Sequence, residues 1–182
     1  DAGRRWLAGQ APGTRLHALG PHGRSFALGG QPGNVLLLAD YEDDPVWLAL
    51  LLSLPETILD RRGRVSLLVR ADKLPDDLVS RLPIAVEVHA AKDEEEWRQA
   101  IADQLLWADR VCADVPRRDY LLLSELVRQA RFRVEEGYVQ VLVRTDLVCG
   151  TGACLACVIP TASGGLTRAC VHGPVFDLAR VG

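Results

Sequence analysis

Five short strand-like runs, separated mostly by stretches of helical spacing, constrain this chain more than any other feature. The runs are residues 35–39, 65–69, 84–88, 110–113 and 138–143. The first, Val-Leu-Leu-Leu-Ala, has no polar alternation, as expected of a strand covered on both faces. Residues 45–59 read as a helix with Asp44 as N-cap and Pro45 at its first position, and Pro55 would kink or divide it. A short helix is expected over 75–82. Asp93 and Glu96 read as a capping box ahead of Trp97, Ile101, Leu105 and Ala108 at helical spacing. Residues 116–133 read as a strong helix carrying Leu122, Leu123, Leu126, Val127 and Ala130. Strands alternating with helices imply right-handed crossovers, hence an α/β fold with a five-stranded parallel sheet.

Ahead of the sheet, two short apolar runs within residues 15–28 flank Gly20-Pro21-His22-Gly23, which reads as a turn between two strands. Residues 29–33, Gly-Gly-Gln-Pro-Gly, read as a hinge. Within 182 residues this leaves one large domain with appendages.

Behind the sheet lie four cysteines, Cys149, Cys154, Cys157 and Cys170, spaced C-x4-C-x2-C-x12-C. The x4-then-x2 spacing is that of plant-type [2Fe–2S] centres held by four thiolates. Gly150 and Gly152 lack Cβ atoms, so backbone N–H groups of the loop can approach a cluster and help set its potential. Gly164-Gly165 would turn a hairpin that returns Cys170 to the site. Structural zinc is the competing reading, although zinc ribbons usually carry two C-x2-C pairs and only one is present. His172 reads as a neighbour of the site, since a Rieske centre replaces two cysteines with two histidines and here all four cysteines are in place.

Charge and cysteine usage narrow the setting. The net charge is −3 with no basic stripe, which argues against nucleic acid as a partner. No apolar run reaches the roughly 18 residues of a membrane span. Five cysteines, four of them clustered, suit a metal site in a reducing cytosol better than a secreted disulfide framework. We therefore expect a cytoplasmic protein without a targeting segment. No Gly-x-Ser-x-Gly, Walker or His-Glu-x-x-His motif supports a hydrolase or NTPase. Trp6, Trp47, Trp97 and Trp107 lack the clustering of a stacking platform, and Trp47, Trp97 and Trp107, within expected helices, read as core or interface residues. His17, His22 and His89 read as surface or strand residues.

The tail from Leu147 through Cys149-Gly150-Thr151-Gly152-Ala153-Cys154-Leu155-Ala156-Cys157 to Cys170-Val171-His172-Gly173-Pro174-Val175-Phe176 resembles a known domain. It is similar to the C-terminal iron–sulfur domain of electron-transfer subunits of dihydroorotate dehydrogenase B, in the ferredoxin–NADP reductase superfamily. Gly20-Pro21-His22-Gly23-Arg24-Ser25-Phe26 resembles the segment that closes the family's flavin barrel. The resemblance implies residues 1–30 as a barrel remnant, 31–144 as a nucleotide-domain-like sheet and 145–182 as a [2Fe–2S] domain. It also implies an iron–sulfur oxidoreductase component in pyrimidine biosynthesis, with FAD as a second cofactor and a catalytic dehydrogenase subunit or other redox protein as partner.

Three departures qualify what carries over. The family's flavin-binding Arg-x-x-Ser-type strand would lie ahead of Asp1, and the chain has no methionine, so it reads as starting inside a fold. Only the stretch around Gly3-Arg4-Arg5 remains, with arginines where relatives place small residues, which argues against FAD binding by this chain alone. The glycine-rich dinucleotide loop is replaced by Leu38-Ala39-Asp40-Tyr41-Glu42-Asp43-Asp44-Pro45, whose side chains and carboxylates argue against NAD. Cys112 stands where relatives carry a Cys-Gly-Pro turn near the nicotinamide, and it reads as core packing. Electrons are then expected from a partner protein or from a flavin bound across a subunit junction. The alternative is a non-redox scaffold or regulatory subunit with a structural metal at the four cysteines.

Overall fold

A computed structural model describes residues 2–18, 20, 23–40, 51–74 and 76–181. Five strands form the parallel core of one sheet: β1 (Asn34–Asp40), β2 (Arg64–Arg70), β3 (Glu87–Ala91), β4 (Arg110–Asp114) and β5 (Val139–Leu142). The expected parallel set is present, but the sheet has six strands. β8 (Val175–Asp177) adds to the outer side of β5 in antiparallel sense, giving the order β3-β2-β1-β4-β5-β8. Three residues following a cysteine loop carry no strand period, so the sequence offered no signal for it.

β1 shows why its apolar run is unbroken. Val35, Leu37 and Ala39 belong to one packed cluster, with Ile58, Leu67, Val69 and Cys112. Leu36 and Leu38 belong to the other, with Leu68, Trp97, Ile101, Leu105 and Leu123. Successive side chains point to opposite faces, and here both faces are covered. Each fully buried side chain of this kind stabilises the fold by about 1.5–3 kcal/mol.

The helices follow the periodicity. α1 (Ala2–Ala8) precedes the sheet, α2 (Leu54–Asp60) packs Ile58 under it, and α3 is Asp76–Arg81. The N-terminal part of the helix expected over 45–59, with its Asp44 cap, lies outside the described residues, as does Trp47. α4 (Glu94–Leu105) buries Trp97, Ile101 and Leu105. The Asp93 carboxylate accepts from the Glu96 amide at 2.9 Å, so the N-cap is real. The reciprocal half of the box is displaced: the Glu96 carboxylate accepts from the Lys92 amide, at 3.1 Å. α5 (Tyr120–Ala130) is shorter than the expected 116–133 because a 3-10 turn, Arg117–Asp119, precedes it.

The barrel remnant is not seen as strands. Among the described residues of 2–33 the regular elements are α1 and an isolated bridge between Arg24 and Pro174. A hairpin without neighbours to complete a barrel is marginal. Phe26 and Leu28 instead bury themselves against the sheet cluster of Val35, Leu37 and Val175. Gln140 of β5 holds this segment by two bonds, accepting from the Ala27 amide at 2.7 Å and donating to its carbonyl at 3.0 Å.

Candidate metal centre

The chain leaves β5 and runs through the first three cysteines into a small hairpin, β6 (Val158–Pro160) and β7 (Leu166–Arg168). Gly164, with φ 82°, makes the turn as expected. β7 runs straight into α6 (Ala169–His172), which carries Cys170, and α7 (Leu178–Val181) closes the chain after β8.

This path brings the sulfurs together in two pairs. The Cys154 amide donates to the Cys149 sulfur at 3.5 Å, and the Cys149 and Cys154 thiols are also in side-chain contact. The Cys170 amide donates to the Cys157 sulfur at 3.5 Å, and these two thiols are likewise in contact. The pairs are near enough that the Cys149 charge acts on Cys170. Among the described residues, no group of three or more His, Cys, Asp or Glu side chains converges on one ion position.

The loop supplies donors to the sulfurs. The Cys154 amide, then the hydroxyl and amide of Thr151, pull the Cys149 thiol down to about 5. The Cys170 amide lowers Cys157 against the opposing effect of burial. Cys170 is raised by its contact with Cys157 and by burial, while the Gly152 amide favours its thiolate. Donors that favour the charged sulfur lower its pKa, and a thiolate is the metal-binding form. Gly150 and Gly152 take φ values of 65° and 81°, and a Cβ on Gly152 would lie 2.8 Å from Val171 Cγ2. Leu155 also adopts a left-handed φ of 60°, which costs about 1 kcal/mol or more in a side-chain-bearing residue.

The chemistry of this donor set fits a two-iron centre. Four sulfurs stand two and two, and amide hydrogens point at them from a loop that glycines keep narrow. His172 is not among the paired sulfurs. Its Nδ1 contacts the Thr167 hydroxyl at 3.0 Å on the exposed side.

The tail that follows is packed onto the N-terminal segment. A Cβ on Gly173 would meet the Phe176 ring at 2.1 Å, and one on Gly23 would meet the Gly173 carbonyl at 2.1 Å. The Arg24 amide donates to that same carbonyl, and the Pro174 carbonyl accepts from Val143 at 2.9 Å. The two glycine–proline segments singled out in the sequence therefore touch.

The carboxyl end of the sheet holds a second polar group that the sequence only half disclosed. Asp40 and Asp114, at the ends of β1 and β4, are fully buried. Arg144 reaches Asp114 at 2.8 Å, and Arg118 lies 3.5 Å from Asp40. Arg70 contacts Glu94 at 2.5 Å and Asp119 at 3.4 Å. Burial raises the Asp119 carboxyl, against the pull of Arg70 and Arg118. Of the four carboxylates expected to repel a phosphate, Asp40 is turned into an ion pair, and Glu42, Asp43 and Asp44 lie outside the described residues. Arginines scattered along the chain at positions 70, 118 and 144 carry no common motif, which is why sequence reading missed them. Cys112 is fully buried in β4, and burial pushes its thiol up to about 12.

Comparison with known proteins bears out the resemblance. Residues 145–182 match the model of the iron–sulfur cluster binding domain of dihydroorotate dehydrogenase B. The chain is 29% identical over 190 residues to a dihydroorotate dehydrogenase B (NAD(+)) electron transfer subunit from Geobacillus thermodenitrificans. The match takes in 98% of this chain and 70% of that protein. Among solved structures, the C-terminal domain of a hydrogenase from Pyrococcus furiosus aligns with 63% of this chain and 93% of its own. Its TM-score of 0.38 and identity of 12% are too low to bear on the fold. Among the described residues, no helix is long and apolar enough to cross a membrane.

Proposed function

We propose that this chain is a one-electron carrier in which Cys149, Cys154, Cys157 and Cys170 hold a [2Fe–2S] cluster. The observation that carries the reading is the division of the sulfurs into the pairs 149/154 and 157/170. A single tetrahedral zinc needs its ligands to converge on one point. A two-iron cluster takes two thiolates on each iron. When bound, the cluster supplies reversible one-electron oxidation and reduction. The protein's own part is to hold four thiolates, aim the amides of Thr151, Gly152, Cys154 and Cys170 at them, and keep Cys157 and Cys170 buried while Cys154 faces solvent.

By its likeness to an electron transfer subunit, the partner would be a catalytic dehydrogenase of the dihydroorotate type, in the cytoplasm. The division into 31–144 and 145–182 serves this role, with the sheet as scaffold and the tail as carrier. Electrons enter from a flavin or a redox protein outside this chain. The buried Asp40 and Asp114 and their arginines stand where a dinucleotide would cross the carboxyl ends of the strands, so NADH is not the immediate donor.

Protein purified without oxygen is expected to contain two irons and two sulfides per chain, with a visible absorption band and an EPR signal on reduction. Stoichiometric zinc without iron would favour the scaffold reading instead. Calorimetry with NADH is expected to show no binding, and a micromolar dissociation constant would overturn that part.

A further inference from the structure

The element that carries Cys170 begins with an arginine whose reach is unexplained by packing. Arg168 ends β7 and caps α6, two residues before Cys170. Its Nη1 donates to the Gly152 carbonyl at 3.0 Å, across the gap between the hairpin and the first cysteine loop. That same Gly152 abuts the residue after Cys170: a Cβ on it would lie 2.8 Å from Val171 Cγ2. Gly152 is thus gripped on both sides, with φ 81° and no room for a Cβ beside Val171. Among the described residues, no carboxylate forms an ion pair with Arg168, and its guanidinium is spent on the Gly152 carbonyl of the cysteine loop, two residues before Cys154.

We propose that Arg168 is a positioning residue that sets the reduction potential of the centre by fixing the Gly152 peptide against Cys170. The inference rests on the cluster reading above. Reduction adds one negative charge to the cluster. A fixed amide donor and a nearby cation both favour the reduced state, since hydrogen bonds to the sulfurs and local charge set the potential. Loss of Arg168 releases the Gly152 peptide from its place beside the Cys170 element and removes the cation bonded to the cysteine loop, so the reduced form loses support.

The test compares the full chain and its Arg168→Gln variant, both purified without oxygen, by dye-mediated redox titration followed by EPR. The expected result is an equilibrium constant for reduction lowered about tenfold, equivalent to about 59 mV for a one-electron step, at unchanged iron content. An iron-loaded variant with an unmoved midpoint overturns the proposal. Should Arg168→Gln hold no iron, Arg168→Lys, which keeps the charge without the guanidinium's reach, is titrated in its place. A midpoint below that of the unaltered chain supports the proposal, and an equal one overturns it. Failure of both variants to hold iron assigns Arg168 to the folding of the loop and likewise overturns it. A parent protein without iron and sulfide would defeat the cluster reading itself, which separates the two failures.

Discussion

The sheet and the cysteine tail are held together by different physics. In β1, six of seven residues are buried, and apolar contacts on both faces do the stabilising. In the tail, Val148, Leu155 and Leu166 are 60–75% exposed, the strands are three residues long, and much of the local order comes from hydrogen bonds to sulfur and carbonyl atoms. The tail's own buried residues, Ile159, Phe176, Leu178 and Val181, join the sheet's core cluster, while its cysteine loop is ordered by polar contacts that a bound metal would strengthen. The sheet, by contrast, needs no ligand to exist.

The contrast is sharpest when the core is damaged. Trp97 is fully enclosed on α4, and Trp97→Ala should lower unfolding free energy by about 3–5 kcal/mol, measured by urea denaturation. Its indole N–H has no hydrogen-bond partner among the described residues, so Trp97→Phe should cost under about 1.5 kcal/mol. Equal losses for the two variants would mean that the enclosed ring is not held by volume alone. Next comes the seam between the regions. Gly173→Ala drives a methyl into the Phe176 ring and should cost about 1–3 kcal/mol, with loss of iron at the same time. Asp93→Ala removes the α4 cap and should cost about 1 kcal/mol without altering iron content. The smallest effect is expected from chelation. Stripping the metal should leave amide exchange in β1, β2 and β4 unchanged while residues 145–172 become open to protease. Faster exchange throughout the sheet would dissolve the distinction between the two regions.

Legibility in the sequence followed the same divide. Strands β1, β2, β4 and β5 were readable to within a residue at each end because burial on both faces leaves mostly apolar runs, broken only by the buried Ser66 in β2 and Gln140 in β5. β3 was misplaced by three residues. The apolar Ile84 at the start of the expected run is fully exposed, and the pairing with β2 begins at Glu87. An edge strand is covered on fewer sides, so its pairing overrides its hydropathy. The spacing of the four cysteines could be read directly, but the contacts that pair Cys149 with Cys154 and Cys157 with Cys170 could not. That division depends on the hairpin β6–β7 bringing Cys170 beside Cys157. Arg168 gave no motif, although its place two residues before a cysteine was a usable hint. The N-terminal strands were read from turn chemistry, and tertiary packing of Phe26 and Leu28 overrode it.

Because β8 belongs to the tail, the outer flank of β5 is sealed, among the described residues, by a strand that follows the cysteine loop. A version ending at residue 144 would keep its apolar layers yet bare the main-chain N–H and C=O groups of β5. Other copies would then add to that row, and the shortened protein would come out of the ribosome as a template for aggregation rather than as a smaller, quieter domain.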